Sequence, residues 1–172
     1  MPHSTRISLQ NQLATRESSI LLLQAEVTAL FNQGLVLYQQ GLLLQASKIY
    51  SHLLDLQPNH FDALHLSGLI AAQSNNLALA LVLFGKAIKV KPDFSHAHSN
   101  LGNVLQELKH FKEALICYEK AIQLSPDLVD AHLNRGNVLH ELMRLDEAIA
   151  SYDKAINIDA NYAQAHYNRG NA

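Results

Sequence analysis

The residues of this 172-residue chain that are best suited to chemistry are its ten histidines and its single cysteine, Cys117. His98, His132 and His166 stand 34 residues apart, and histidine is a common zinc ligand. If 34 residues form one helical repeat, equivalent positions lie about 8–10 Å apart, whereas zinc ligands approach the ion to about 2.1 Å. We therefore interpret these histidines as packing residues that do not share a metal.

Other catalytic and cofactor-binding patterns are missing from the sequence. It contains no H-E-x-x-H, no C-x-x-C and no glycine-rich phosphate loop. Cys117 stands beside Tyr118, which we predict to be buried, and no basic residue is placed to activate the thiol. We therefore predict that the chain is not an enzyme and binds no metal and no cofactor.

Asparagine also recurs with a fixed spacing. One series is Asn32, Asn100, Asn134 and Asn168, and a second is Asn103, Asn137 and Asn171. An asparagine amide has one acceptor and two donors, which match the C=O and N–H of a peptide backbone. A row of asparagines therefore predicts a surface that holds an extended chain with little demand on its sequence. The alternative is that these are ordinary solvated residues.

The elements that must position these side chains are visible in the glycines, prolines and aromatics. Members of each class stand 34 residues apart, which indicates one unit copied along the chain. They are Gly34, Gly68, Gly102, Gly136 and Gly170, then Pro58, Pro92 and Pro126, and finally Tyr50, Phe84, Tyr118 and Tyr152.

Each unit has two segments with helical periodicity, so we predict two antiparallel helices per repeat. A glycine inside a helix is unfavourable, and its recurrence indicates a close approach to the second helix, where we expect the recurrent alanine, such as Ala114, to be its partner. The prolines end the second helices. We expect the polar residues after the prolines to cap the next helices. These are Asn59, Asp93, Asp127 and Asn161.

This arrangement of glycine, alanine, aromatic and proline in a 34-residue helix pair resembles the tetratricopeptide repeat. The resemblance covers Val27 to Ala172 and implies an all-α fold, a right-handed α-solenoid of antiparallel helix pairs. The repeats are 27–60, 61–94, 95–128 and 129–162, with a partial repeat at 163–172. Residues 1–26 form an N-terminal extension, in which Ser8 to Ser18 is expected to be mobile and Ser19 to Glu26 extends the first helix or caps the array.

In such proteins the first helix of each pair lines a concave groove, so the resemblance implies the binding residues. They are Phe31, Asn32, Leu35, Tyr38, His65, Leu66, Leu69, Asn100, Asn103, Gln106, Asn134, Asn137, His140 and Asn168. We predict a non-catalytic protein–protein interaction module that binds a peptide or helical segment there. The asparagine series is also similar to the repeat arm of O-linked N-acetylglucosamine transferases and SPINDLY-type proteins. The alternative function is therefore the substrate-recruiting arm of a larger glycosyltransferase.

Several partners are excluded by charge and composition. The lysines and arginines that clamp chaperone tails in some of these repeats are absent from the groove positions. The net charge is −2, and the lysines are sparse. We expect the lysines of the second helices to pair with carboxylates such as Glu119 and Asp153. We therefore predict no nucleic-acid partner. The apolar run at Ile20 to Leu23 is interrupted by Gln24 and Glu26, so we predict no membrane span.

Two further expectations concern the compartment and the C-terminal end. A single cysteine and the absence of a signal-peptide pattern favour the cytoplasm. The last repeat stops before its second helix, so we expect part of an apolar face to stay bare and to favour self-association. That face consists of Ala155, Ile156, Ile158 and Tyr162.

Overall fold

The predicted helical repeats are present in the computed structural model of the chain, which describes the backbone of residues 2–172 and the side chains of residues 15–172. Within that part it contains nine helices and no strand, so the all-α prediction is confirmed. The helices are α1 (Pro2–Gln39), α2 (Leu43–Leu56), α3 (Phe61–Gln73), α4 (Leu77–Val90), α5 (Ser95–Glu107), α6 (Phe111–Leu124), α7 (Val129–Glu141), α8 (Leu145–Ile158) and α9 (Ala163–Asn171).

The chain forms two compact units, Met1–Ala63 and Leu64–Ala172. In unit 1, α1 packs against α2, whose inner face buries Ala46, Tyr50 and Leu53 completely. In unit 2, α5 pairs with α6 and α7 with α8, and α9 packs on α8. The starts of α3, α5, α7 and α9 coincide with the predicted starts of repeats 2 to 5.

Four of the five recurrent glycines lie closest to aromatic rings of the second helices, whereas a Cβ at Gly170 would meet nothing within 4 Å. A Cβ added at Gly102 would lie 2.6 Å from Cε1 of Tyr118, and one at Gly34 would lie 2.5 Å from the same atom of Tyr50. Gly68 has this relation to Phe84, and Gly136 has it to Tyr152. The ring occupies the space that a side chain at each of these four glycines would need, so the prediction of a close approach that requires glycine is confirmed there.

The turn inside each repeat contains one residue with left-handed backbone geometry. These residues are Gly41, Asn75, Lys109 and Met143, with φ angles of 75°, 57°, 61° and 59°. The next backbone N–H closes the turn, as where His110 N donates to Leu105 O at 2.8 Å. Met143 carries no turn signal, and only the repeat lattice predicts its conformation.

The predicted helix caps were wrong. The residues that precede α5, α7 and α9 are Phe94, Leu128 and Tyr162, and none of these makes a side-chain cap bond. In unit 1, His60 Nδ1 accepts a hydrogen bond from Ala63 N at 3.2 Å, in place of the expected Asn59. Each predicted cap lies one residue too early, because the position directly before the helix is occupied by a larger side chain, partly buried in the protein.

The three equivalent histidines connect the turns between repeats. In each case Nε2 lies 2.9 Å from the carbonyl oxygen six residues earlier, in the pairs His98–Pro92, His132–Pro126 and His166–Ala160. A carbonyl only accepts, so this nitrogen carries the hydrogen and donates. The histidines therefore hold the chain where it leaves the preceding repeat, a role more specific than packing.

The charged faces also differ from the expected pairing. Glu119 lies 3.8 Å from Arg135, and Asp153 lies 2.5 Å from Arg169, so these carboxylates pair with arginines and not with the lysines of their own helices. The expected bare C-terminal face is also smaller than predicted. Ala155 is completely buried, as is Ala165 of α9, whereas Ile158 remains 37% exposed.

The N-terminal helix α1 continues without a break into the first helix of repeat 1. The stretch expected to be mobile falls largely on residues whose side chains lie outside the described part. The segment Thr15–Gln39 is long and apolar enough to cross a membrane, with a mean hydropathy of 1.5 in a window of which 11% is buried. The segment has no uninterrupted apolar run of membrane-spanning length. Its mean hydropathy is nevertheless high, because apolar residues continue beyond Glu26. Signal sequences and the core helices of other proteins are equally long and apolar, so length and hydropathy alone do not assign this segment to a membrane.

Candidate functional site

A row of amide side chains crosses the first helices of unit 2. Asn134 Nδ2 donates to Asn103 Oδ1 at 3.0 Å, and Asn168 Nδ2 donates to Asn137 Oδ1 at 2.6 Å. Asn137 Nδ2 lies 3.5 Å from Asn134 Oδ1 and completes the connection. These four residues, here called the amide row, link α5, α7 and α9 through their own side chains.

Tyrosine hydroxyls from the second helices support the amide row from beneath. Tyr118 Oη lies 2.8 Å from both Asn103 Oδ1 and Gln106 Oε1, and Tyr152 Oη donates to Asn137 Oδ1 at 3.1 Å. A hydroxyl has one hydrogen, so Tyr118 donates to one of its two neighbours at a time.

These bonds determine what the amide row still offers to a ligand. Asn137 Oδ1 accepts from both Tyr152 and Asn168, whereas Asn103 Oδ1 accepts from Asn134 and shares the single hydroxyl hydrogen of Tyr118 with Gln106. The amide nitrogens of both residues keep at least one N–H without a partner among the described side chains. The row therefore presents hydrogen-bond donors, and its natural ligands are acceptors such as backbone carbonyl oxygens.

The electrostatic setting keeps the tyrosines protonated. Burial raises the pKa of Tyr118, with smaller contributions from Cys117 and Glu107. Burial also raises the pKa of Tyr152, with a contribution from Glu141. At neutral pH both hydroxyls are therefore donors, which fixes the orientation of the asparagine amides above them.

Part of the amide row opens into a polar pocket of about 330 Å³. It is lined by Gln106, Asn137, His140, Glu141, Tyr152, Asn168 and Asn171. Gln106, Asn137, His140 and Asn168 were predicted as groove residues. The tyrosines were assigned to packing alone, although the recurrence of tyrosine together with asparagine is the signal that could have identified them.

A separate group in unit 2 consists of His65 with Asn100, Phe84 and Phe94. Asn100 Nδ2 lies 3.0 Å from His65 Nε2, so Asn100 is not connected to the amide row. The imidazole packs against Phe84 and Phe94, with ring centroids 5.8 and 5.3 Å apart. Leu66 and Leu69 are half-buried beside it in sequence. This group is mainly apolar and aromatic.

In unit 1 the predicted residues Phe31, Leu35 and Tyr38 are half-buried, and Asn32 is exposed. Phe31 packs against Tyr50 and His60, with centroids 6.1 and 5.2 Å apart. Tyr50 is completely buried, and among the described side chains its hydroxyl is the one buried polar atom without a hydrogen-bond partner. Leu35 stands where repeats 3 and 4 have Asn103 and Asn137, so the partner of the hydroxyl is missing.

The described side chains contain no cluster of three or more histidine, cysteine or acidic residues that could hold a metal ion. Cys117 is half-buried, and burial raises the pKa of its thiol to about 11. The thiol is therefore protonated at neutral pH and is a poor nucleophile.

Comparison with known proteins places this architecture. Residues 31–96 match the family described as tetratricopeptide repeat, and residues 107–142 and 144–172 match the family described as TPR repeat, together more than half of the chain. In sequence, no curated protein matches the chain significantly.

Solved structures share the fold. The crystal structure of MamA protein has a TM-score of 0.80 at 22% identity, over 84% of this chain and 79% of that chain. A MamA structure from Desulfovibrio magneticus RS-1 has a TM-score of 0.74 at 18% identity, over 92% and 96%. YrrB, described as a TPR protein with an unusual peptide-binding site, has a TM-score of 0.74 at 26% identity, over 82% and 73%.

Proposed function

We propose, because this chain belongs to the tetratricopeptide-repeat family, that it is a non-catalytic protein-interaction module that binds an extended segment of a partner protein along the amide row of unit 2. The observation that carries this proposal is the polarity of the row. Asn103 and Asn137 keep amide N–H donors, whereas their oxygens accept hydrogen bonds from neighbouring asparagines and from the tyrosines. An extended polypeptide supplies a carbonyl acceptor at every residue.

The neighbouring pocket and a structural relative support this proposal. The pocket of about 330 Å³ beside Asn137 is of the size that binds small groups and side chains. YrrB, whose description names a peptide-binding site, shares the fold. The apolar group around His65 and the aromatic surface of Phe31 in unit 1 are proposed as further contact surfaces for apolar side chains. We also retain the cytoplasm as the proposed compartment.

A natural pair of residues in repeat 2 provides the test. Leu69 and Phe84 stand where repeats 3 and 4 have asparagine and tyrosine. The variant Asn103→Leu/Tyr118→Phe/Asn137→Leu/Tyr152→Phe therefore copies a combination that this fold already accommodates, and it leaves no tyrosine hydroxyl unpaired.

We expect the four-residue variant to bind degenerate extended peptides about 5- to 150-fold more weakly, because two backbone hydrogen bonds of about 0.5–1.5 kcal/mol each are lost. Fluorescence anisotropy measures the affinity, and circular dichroism checks that helicity is unchanged. Tyr50→Phe is the matched control, since it removes a buried hydroxyl outside unit 2. Unchanged affinity in the four-residue variant would remove the amide row from the binding site.

The alternative function, a substrate-recruiting arm of a larger glycosyltransferase, would use the same row and stays a prediction. It is tested by assaying sugar transfer to a bound peptide by a longer protein that contains this chain. Self-association also stays a prediction. Its candidate contact is now the exposed Ile158 together with Tyr167, which is 67% exposed, and sedimentation at several concentrations measures it.

A further inference from the structure

Two carboxylates stand at equivalent places beside the amide row. Glu107 is the last residue of α5 and Glu141 is the last residue of α7, and both are exposed. The ion pairs in the described part of unit 2 are Arg135–Glu119, Arg144–Glu147 and Arg169–Asp153. Glu107 and Glu141 therefore have no cationic partner there.

Glu141 lies beside the tyrosine that supports the row in repeat 4, and Glu107 occupies the equivalent position of repeat 3. Glu141 lines the polar pocket together with Asn137 and Tyr152. Its charge contributes to the raised pKa of Tyr152, after burial, and Glu107 acts in the same way on Tyr118 after burial and Cys117. Repeat 4 thus combines an amide donor with a negative charge in one pocket, and repeat 3 has the same two residue types at the equivalent positions, Asn103 and Glu107.

Cations lie elsewhere on unit 2. The pocket lining has one carboxylate, four amides, one imidazole and one tyrosine, and it includes no lysine or arginine. Lys154 and Arg135 line a different cavity beside Glu119, and Lys109 lines another. Asp130, a further acidic residue of α7, accepts a hydrogen bond from Tyr162 at 2.6 Å. The charge available to a ligand at the amide row is therefore that of Glu107 and Glu141.

We infer that the amide row selects extended segments that carry lysine or arginine, whose side chains lie at Glu107 and Glu141 while their backbone carbonyls accept from Asn103 and Asn137. This inference rests on the proposed function and adds the charge of the partner. First helices of adjacent repeats lie about 8–10 Å apart, and an extended chain of the polyproline-II type advances about 3.1 Å per residue with three residues per turn, so every third side chain faces the same side. Basic residues about three positions apart therefore match the two carboxylates.

The test uses three degenerate peptide pools of equal length that carry lysine, glutamine or glutamate at two positions separated by two residues. We expect the lysine pool to bind most tightly and the glutamate pool most weakly, with about a twofold to fivefold effect for each carboxylate. The preference should shrink at high ionic strength, because exposed charges are screened.

Glu107→Gln/Glu141→Gln should abolish the preference, so that the lysine, glutamine and glutamate pools bind with equal affinity. Glu113→Gln/Asp146→Asn is the matched control, since it removes the same charge from exposed positions on the second helices, and it should keep the preference. Equal binding of all three pools by the wild type would overturn the charge inference and leave the proposed function standing. Binding of none of the pools would overturn the proposed function as well.

Discussion

Repeat 1 in unit 1 and repeats 3 and 4 in unit 2 are built from the same helix pair. They differ in whether the buried tyrosine hydroxyl has a hydrogen-bond partner on the first helix. All three place a buried tyrosine against a first-helix glycine. In repeats 3 and 4 the hydroxyl donates to an asparagine, as Tyr118 does to Asn103, whereas Leu35 leaves Tyr50 without a partner in repeat 1. The scaffold is therefore set by the ring and the glycine. The polar character of the candidate surface is set by one further residue on the first helix, asparagine in repeats 3 and 4 and leucine in repeat 1.

The contact common to both regions should give the largest effect. Gly102→Leu would force a side chain into the buried ring of Tyr118 at the 2.6 Å approach, and overpacking of this kind costs about 1–3 kcal/mol. Gly34→Leu should cost a similar amount in repeat 1. Gly85→Ala is the control, because a Cβ there meets nothing within 4 Å, and it should stabilise the helix by up to about 1 kcal/mol. Chemical denaturation measures all three. If only one of the two leucine variants lost stability, the claim that both repeats depend on the same glycine–tyrosine contact would be wrong.

Substituting phenylalanine for tyrosine should change the free energy of unfolding in different directions at Tyr118 and Tyr50. Tyr118→Phe removes a hydrogen bond to Asn103 and should lower the free energy of unfolding by about 0.5–1.5 kcal/mol. Tyr50→Phe removes an unpaired buried hydroxyl and should be neutral or stabilising by about 1 kcal/mol. Urea titration of both variants gives the comparison, and equal destabilisation would show that the hydroxyl of Tyr50 has a partner in solution.

The tyrosines also predict how stability depends on pH. Burial raises the pKa of Tyr50 from 10.0 to about 12, with smaller contributions from Tyr38 and Asp62. The folded protein then binds more protons than the unfolded chain above pH 10, so this stabilisation is present below pH 10 and is lost as the pH rises towards 12. Tyr50→Phe should have a flatter stability profile in this window. An identical slope in both proteins would contradict the burial of the hydroxyl.

An asparagine at position 35 should give the Tyr50 hydroxyl the hydrogen-bond partner that the tyrosines of repeats 3 and 4 already have. In a double-mutant cycle of Leu35→Asn and Tyr50→Phe, we expect a favourable coupling of about 0.5–1.5 kcal/mol between the introduced amide and the Tyr50 hydroxyl. The cycle separates this hydrogen bond from the cost of replacing a half-buried leucine. A coupling of zero would mean that the amide and hydroxyl do not meet.

The smallest effect should come from the turns. Met143 has a φ of 59° and is 77% exposed, and left-handed geometry costs a non-glycine residue about 1–2 kcal/mol. Met143→Gly should therefore raise the free energy of unfolding by about 1 kcal/mol, less the entropy that glycine loses on folding. Gly41→Ala in repeat 1 should lower it. The midpoints of urea unfolding check both signs.

Repeat boundaries were predictable from the sequence because they depend on residues that cannot be exchanged freely. Glycine beside a ring and proline after a helix end recur at 34 residues and indicate the starts of α3, α5 and α7, and the start of α9 follows from the same 34-residue spacing. The caps were misplaced by one residue, since Phe94 and Leu128 show no capping signal and stand directly before their helices.

Within the candidate site, the groove residues were predicted from the resemblance to a known repeat. The hydrogen bonds between them could not be predicted in this way. The sequence shows that Asn103 and Asn134 recur, but whether an amide faces a ligand or its neighbour depends on the distance between adjacent helices, which sets the 3.0 Å bond between these two side chains. Asn100 illustrates the limit, because it shares its repeat position with Asn134 and yet bonds to His65.

The proposed binding of an extended chain by the amide row is tested most directly by the side-chain amide signals of Asn103 and Asn137 in a ¹H–¹⁵N NMR titration with the lysine peptide pool. The account predicts that these two signals shift with the same apparent Kd that anisotropy gives, and that backbone signals of unit 1 shift less. Saturating peptide binding without any change in the two amide signals would contradict it.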